Sequence, residues 1–203
     1  MKPASFFLAL AIAALALCDC RTLPQTHYYV LEPQEVSSAE TSGSGVTIGV
    51  EPFRVDPIYD QDRIVYRIGE DTTEVGFYAY HRWAAPLSRM LPGVVAAGLT
   101  DVGGVERIEP AEEGRVYDIY LRGRVMAFEE IDTPEGERIL VRLALTLMTG
   151  DGEELWVEIL DRESALSTGE VRGVVERMQA ALVEGLRAFR PGLERALQQA
   201  DGR

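Results

Sequence analysis

The sequence predicts an α+β fold, a largely antiparallel mixed sheet with two helices packed on one face, and three observations carry that prediction. Ile139, Val141, Leu143, Leu145 and Leu147 alternate strictly with their neighbours, the period of a strand with one buried face. Val171, Val174, Val175, Met178, Leu182, Leu186 and Phe189 recur at helical spacing and form one apolar stripe. The 203 residues are 46% apolar and 26% charged, which suits one domain with a real core and not a disordered chain.

The N-terminus sets the organisation. Met1-Lys2 is a short positive start, and 6–17 is an unbroken apolar run. A spanning helix needs roughly 20 apolar residues, so this run is too short and reads as the core of an export signal over 1–17. The segment Leu15-Ala16-Leu17-Cys18 is similar to a bacterial lipobox, in which the cysteine becomes the new N-terminus and its thiol carries diacylglycerol. Cys18 is therefore the expected lipid attachment point, with Cys20 as the alternative. Leu17 departs from the pattern, which usually has Gly or Ala there. Asp19 resembles the signal that retains a lipoprotein in the inner membrane of enteric bacteria. No cysteine follows Arg21, which excludes disulfide scaffolds, CxxC redox chemistry, thiolate zinc sites and a cysteine nucleophile from the body.

The mature chain divides into a tethering segment, 18–45, and one domain, 46–203. Thr26 to Leu31 is rich in β-formers and predicts a short strand. Glu32 to Gly45 has little to bury and predicts a loop, spanning roughly 20 Å as a coil. Strands are expected over 46–53, 64–68 and 73–80. From Trp83 the spacing turns helical through Leu87, Met90, Leu91, Val94 and Val95, and Pro92-Gly93 is expected to kink or end that helix. A β-meander over 116–165 follows, with turns at 132–136 and 150–152. Ser167 and Glu170 form a capping box before the last helix, which Pro191-Gly192 is expected to interrupt.

In the meander, Tyr117, Ile119, Leu121 and Val125, then Leu155, Val157 and Ile159, are expected to face the helices. The even positions then present Tyr120, Arg122, Arg124, Met126, Leu140, Arg142, Met148, Trp156 and Leu160 on the other face. Arg122, Arg124, Met126, Arg142 and Trp156 make that face a candidate interface for a partner or for self-association, since Arg, Met and Trp are enriched in such surfaces. A wet sheet face with extended arginines is the plainer reading.

Charge and motifs narrow the function. Twenty Lys and Arg stand against 33 Asp and Glu, giving −13 and a pI near 4.6, which argues against nucleic acid and against electrostatic adhesion to anionic lipid. There is no G-x-S-x-G, H-E-x-x-H or Walker sequence. Asp56, Asp60 and Asp62 lack the glycine and distal glutamate of a calcium loop. His27 and His81 are far apart in sequence and show no metal-ligand spacing. No enzyme, metal or cofactor is expected, beyond acyl chains on the N-terminal cysteine.

Several segments together resemble the ABC-type transport auxiliary lipoprotein family, typified by paraquat-inducible protein C. They are the lipidated cysteine, Tyr28-Tyr29-Val30-Leu31, Pro57-Ile58-Tyr59-Asp60 and Asp62-Arg63-Ile64-Val65-Tyr66-Arg67. The most telling is Arg82-Trp83-Ala84-Ala85-Pro86-Leu87, of Arg-Trp-Ala-x-Pro-Leu form. The resemblance implies a non-catalytic envelope component working beside an ABC permease and ATPase and an MCE-domain (mammalian cell entry) protein. Such systems move lipids between the inner and outer membranes. It implies a body facing the periplasm, an outer-membrane anchor with Asp19 leaving the inner membrane open, and ring formation in some members. An envelope assembly scaffold is the alternative reading, and a lipid-anchored hydrolase or ligand-binding protein the third.

Overall fold

The computed structural model describes residues 24–33, 45–69, 72–167 and 169–201. The expected signal segment, Cys18, Cys20 and most of the loop predicted over 32–45 lie outside the described residues. The elements follow in the order β1 (His27–Tyr29), β2 (Val46–Val50), β3 (Arg54–Val55), β4 (Arg63–Ile68) and β5 (Val75–Trp83), then α1 (Leu87–Gly98) and β6 (Val105–Pro110). β7 (Ile119–Thr133), β8 (Gly136–Thr149), β9 (Glu154–Ala165) and α2 (Val171–Asp201) complete them.

β7 is the spine of the sheet. Along one side it pairs with β8, and along the other it takes β2, β3 and β4 in succession, all parallel. β6 extends the sheet beyond β2, while β5 and then β1 extend it beyond β4. Five short ladders are parallel, but the two longest, β7–β8 and β8–β9, are antiparallel and hold most of the paired residues. The second meander turn includes Gly152 at φ 94, a left-handed conformation that costs a glycine little and other residues more.

The core lies between the sheet and the two helices. Leu121, Leu143, Leu145, Leu147, Met178, Leu182 and Leu186 are fully buried. A Cβ on Gly98 of α1 would meet Leu186 at 2.6 Å, so the helices touch where a side chain is missing. Arg190 of α2 donates from Nη2 to the Gly98 carbonyl at 2.9 Å and closes that junction.

Four local expectations are corrected. Trp83 ends strand β5, and α1 begins only at Leu87, with Pro86 at the cap position. Pro92 does not end α1, which runs on to Gly98. Proline removes the N–H that would bond the Ser88 carbonyl, and the Phe53 amide donates to that carbonyl instead at 3.2 Å. Pro191 likewise lies inside α2, whose stripe continues through buried Leu193, Ala196 and Leu197. α2 starts at Val171, its Glu170 carbonyl accepting from Val174, so Ser167 sits short of the cap. β3 and β6 were not expected. β3 is only two residues long, and β6, V-E-R-I-E-P, is a largely polar edge with little apolar signal.

Candidate interaction face

The side of the meander turned away from the helices is built in cross-strand rows. Arg122 stands opposite Thr146, which stands opposite Val157. Beside it, Arg54, Arg124, Ala144 and Ile159 line up across four strands. Each row runs from a guanidinium over a small residue to an aliphatic one. Val157 is 48% exposed and Ile159 55%. A groove of about 410 Å³ follows the cationic end, lined by Glu51, Pro52, Arg54, Arg122, Gly123, Arg124, Ala144, Thr146 and Met148.

The arginines are held in place. Arg122 donates from Nε to Glu51 at 2.8 Å, and its Nη1 lies 3.1 Å from the Met148 sulfur. Arg124 donates from Nε and Nη2 to Asp56 Oδ1 at 3.0 and 2.8 Å. Arg142 pairs with Asp161 at 2.7 Å. Exposed pairs like these stabilise a fold by about 0–1 kcal/mol, so their main effect is to fix where the guanidinium groups point. The acidic trio weighed above is thereby explained in part. Asp56 serves Arg124, and Asp62 accepts from Arg82 at 2.6 Å.

Two expected members of this face belong to the other. Trp156 packs on Phe189 of α2, ring centroids 5.7 Å apart, and Leu160 is fully buried, close against Gly185. Both stand opposite core leucines, Leu147 and Leu143. The register shifts by one residue between Leu147 and Met148, and a one-residue slip sends every later side chain to the opposite face. β9 thus turns Val157 and Ile159 outward, the reverse of the expectation, while Leu155 sits at the shift and packs part-buried against the core. Met126 falls at an irregularity between Val125 and Ala127, where β7 carries an extra residue. Arg122, Arg124 and Arg142 stand on the open face as expected.

The irregularity at Met126 also inverts the rest of β7. Phe128 now points into the core, while Glu129 and Glu130 are buried on opposite sides of the strand at 3% and 4% exposure. Arg67 donates to Glu129 at 2.7 Å, and the Tyr59 hydroxyl lies beside this pair, pushed up to about 12 chiefly by burial. Tyr78 donates its hydroxyl to Glu130 at 2.6 Å, and burial raises the Glu130 carboxyl above its usual value. Acidic doublets are common in this chain, which hides this pair in the sequence. The signal was its place within a strand, directly after an apolar stretch.

The Arg82–Leu87 motif builds a corner between sheet and helix. Arg82 is fixed to Asp62, and Trp83 is buried against Phe128 with centroids 5.7 Å apart. Pro86 starts α1, and Leu87 is 1% exposed. Among the described residues no three metal-ligating side chains cluster, and no helix is long and apolar enough to cross a membrane.

A family model described as an ABC-type transport auxiliary lipoprotein component matches residues 29–188. The chain belongs to this family. The matched span runs from β1 into α2 and takes in both the corner motif and the open face. The chain is similar in fold to XCC0632 from Xanthomonas campestris, described as DUF330. That likeness has 18% identity, a TM-score of 0.69, and covers 87% of this chain and all of that one. It is also similar to an uncharacterized protein at 16% identity and a TM-score of 0.61, covering 85% of this chain and 98% of that one. No curated protein matches the chain. Family membership makes the protein a transport auxiliary lipoprotein component, a kind of protein associated with an ABC transport system and the cell envelope.

Proposed function

We propose that the protein is a non-catalytic, lipid-tethered docking subunit of an ABC transport system that moves lipids between the inner and outer membranes. Its tether is acyl chains on Cys18, with Cys20 as the alternative, and its body faces the periplasm. Its partners are the permease–ATPase complex and an MCE-domain protein. The observation that carries this reading is the middle of β9, 156–160, which presents apolar side chains to both faces. Trp156 and Leu160 are buried against α2, while Val157 and Ile159 are exposed beside arginines whose orientation is fixed. A stretch with apolar side chains on both sides suits burial on both sides, and the helices cover only one. The arginine end of the rows suits an acidic partner surface and would steer encounter.

Two measurements test it. Cys18→Ser is expected to abolish palmitate labelling and release the protein from membranes; labelling that persists moves the anchor to Cys20. With Arg122→Glu and Arg124→Glu combined, binding to purified permease–ATPase complex and MCE-domain protein is expected to weaken at least about tenfold, chiefly in the association rate. Binding unchanged in rate and salt dependence would return this face to plain solvent. Altered sizing of the protein alone would assign the face to self-association instead.

A further inference from the structure

We propose that β1 is a histidine-gated clip, in which protonation of His81, stacked in register against His27, loosens the strand from the edge of β5. The two histidines lie 54 positions apart, yet parallel pairing sets them opposite each other in register. Their rings stack with centroids 5.2 Å apart and planes 16° apart, and the Tyr29 ring stacks on His81 at 5.8 Å. His81 is therefore flanked by two rings of a strand only three residues long. The Tyr29 hydroxyl lies 2.8 Å from His81 Nδ1, which accepts it when the neutral ring carries its proton on Nε2. Charging His81 removes that acceptor and sets a cation between the His27 and Tyr29 rings.

The surroundings carry both signs, and Glu32 and Glu176 line an adjoining groove with His27, Tyr29 and Arg172. Arg172 and Glu170, at the start of α2, face the cluster across a shared groove with His27, Tyr29 and His81. Arg172 repels a charged His81 and Glu170 attracts it. Tyr78 meets His81 edge-on at 5.8 Å, but its hydroxyl is already given to Glu130. Tyr66 packs on the far side of Tyr78, and Asp132 and Glu137 act on Glu130. Burial, then the charge of His27, lowers His81 from the ordinary imidazole value of 6.5. A group whose bound-state value is lowered contributes stability that is complete above its free-state value. The clip is thus at full strength above pH 6.5 and weakens as pH falls below it.

Beyond these rings, β1 is held by its ladder with β5 and by the buried residues that flank it. The Tyr29 carbonyl accepts from the Ala84 amide at 2.8 Å. Leu31 is buried, and the Gln179 side chain of α2 exchanges bonds with the Glu32 backbone at 3.2 and 3.0 Å. The clip stands on this geometry alone, whereas its consequence rests on the anchor proposed above. With β1 held, the chain from Cys18 to His27 limits the body to roughly 30 Å from the acyl group; with β1 free, the limit moves to Val46, roughly 95 Å. Acid would thus lengthen the tether about threefold.

The test uses full-length protein in detergent and follows amide exchange, corrected for intrinsic rate, from about pH 7.5 to about pH 5, the range in which imidazoles titrate. Protection of the Ala84 amide is expected to fall at least about tenfold, while the β8 amides keep theirs. His27→Phe preserves a stacked ring without a charge and is expected to flatten that response. Equal Ala84 protection across the range would overturn the proposal, as would an undiminished response in His27→Phe. Should that variant fail to fold, the ring proton titration of wild-type His81 decides: a midpoint at or above 6.5 contradicts the clip. Palmitate labelling of the same samples reports the anchor separately, so either can fail without the other.

Discussion

The two faces of the meander are made by the same three strands and obey different rules. On the helix side Leu121, Leu143, Leu145, Leu147 and Leu160 are completely buried, and any change of volume there is felt by several neighbours. On the open side, one residue away along the chain, Arg122, Val157 and Ile159 meet solvent, and their nearest partners are exposed ion pairs. Burial fixes the register of the strands from one side. The other side is thereby left free to carry a surface chosen for contact instead of for folding. Neighbouring residues can then differ by several kcal/mol in what they contribute to stability and still both matter.

Substitutions can break that contrast. Trp83→Ala is expected to be the most damaging, destabilising by about 3–5 kcal/mol in urea unfolding, because it empties the corner against Phe128. Leu160→Ala follows at about 2–5 kcal/mol. Its neighbour Ile159→Ser should stay within about 0.5 kcal/mol of the wild type, since the side chain is already 55% exposed. Reversed values for this adjacent pair would mean that β9 sits in the opposite phase. Arg124→Gln is expected to be the smallest, below about 1 kcal/mol, with the loss shrinking in high salt.

Glu130 sharpens the comparison through pH. Burial raises its carboxyl in the folded state, so the fold holds that proton more tightly than the unfolded chain does. This contribution is fully present below the ordinary 4.5 and is lost as pH rises through the raised value. Glu130→Gln keeps an acceptor for Tyr78 without titrating. Its stability relative to wild type should therefore improve between about pH 4 and about pH 7 in urea titrations; parallel curves would contradict the assignment.

Much of the fold could be read from the residues. The leucine alternation of β8 and the stripe of α2 are signals that tertiary context does not override, and both elements fall where expected. The phase of β9 could not be read. With Leu155, Val157 and Ile159 on one parity and Trp156 and Leu160 on the other, composition allows either, and the choice is made by a one-residue register shift beside the turn. The helix-breaking power of Pro92 was overestimated for a similar reason, since the compensating donor, Phe53, lies 39 positions back in the chain. Of the candidate face, the arginines were legible because β7 alternates cleanly up to Met126. The pairing of His27 with His81 was not, because only the parallel docking of β1 brings them together.

The central claim is that the protein acts by what its open sheet face grips. Its most direct test is Val157→Asp combined with Ile159→Asp, in acylated protein whose circular dichroism and melting match the wild type, titrated against the purified permease–ATPase complex and MCE-domain protein. Loss of about tenfold or more in affinity for one of them is the predicted result, as expected when charge enters the apolar centre of an interface. Undiminished affinity for both would show that the face is only solvated surface and that the role lies elsewhere on the molecule.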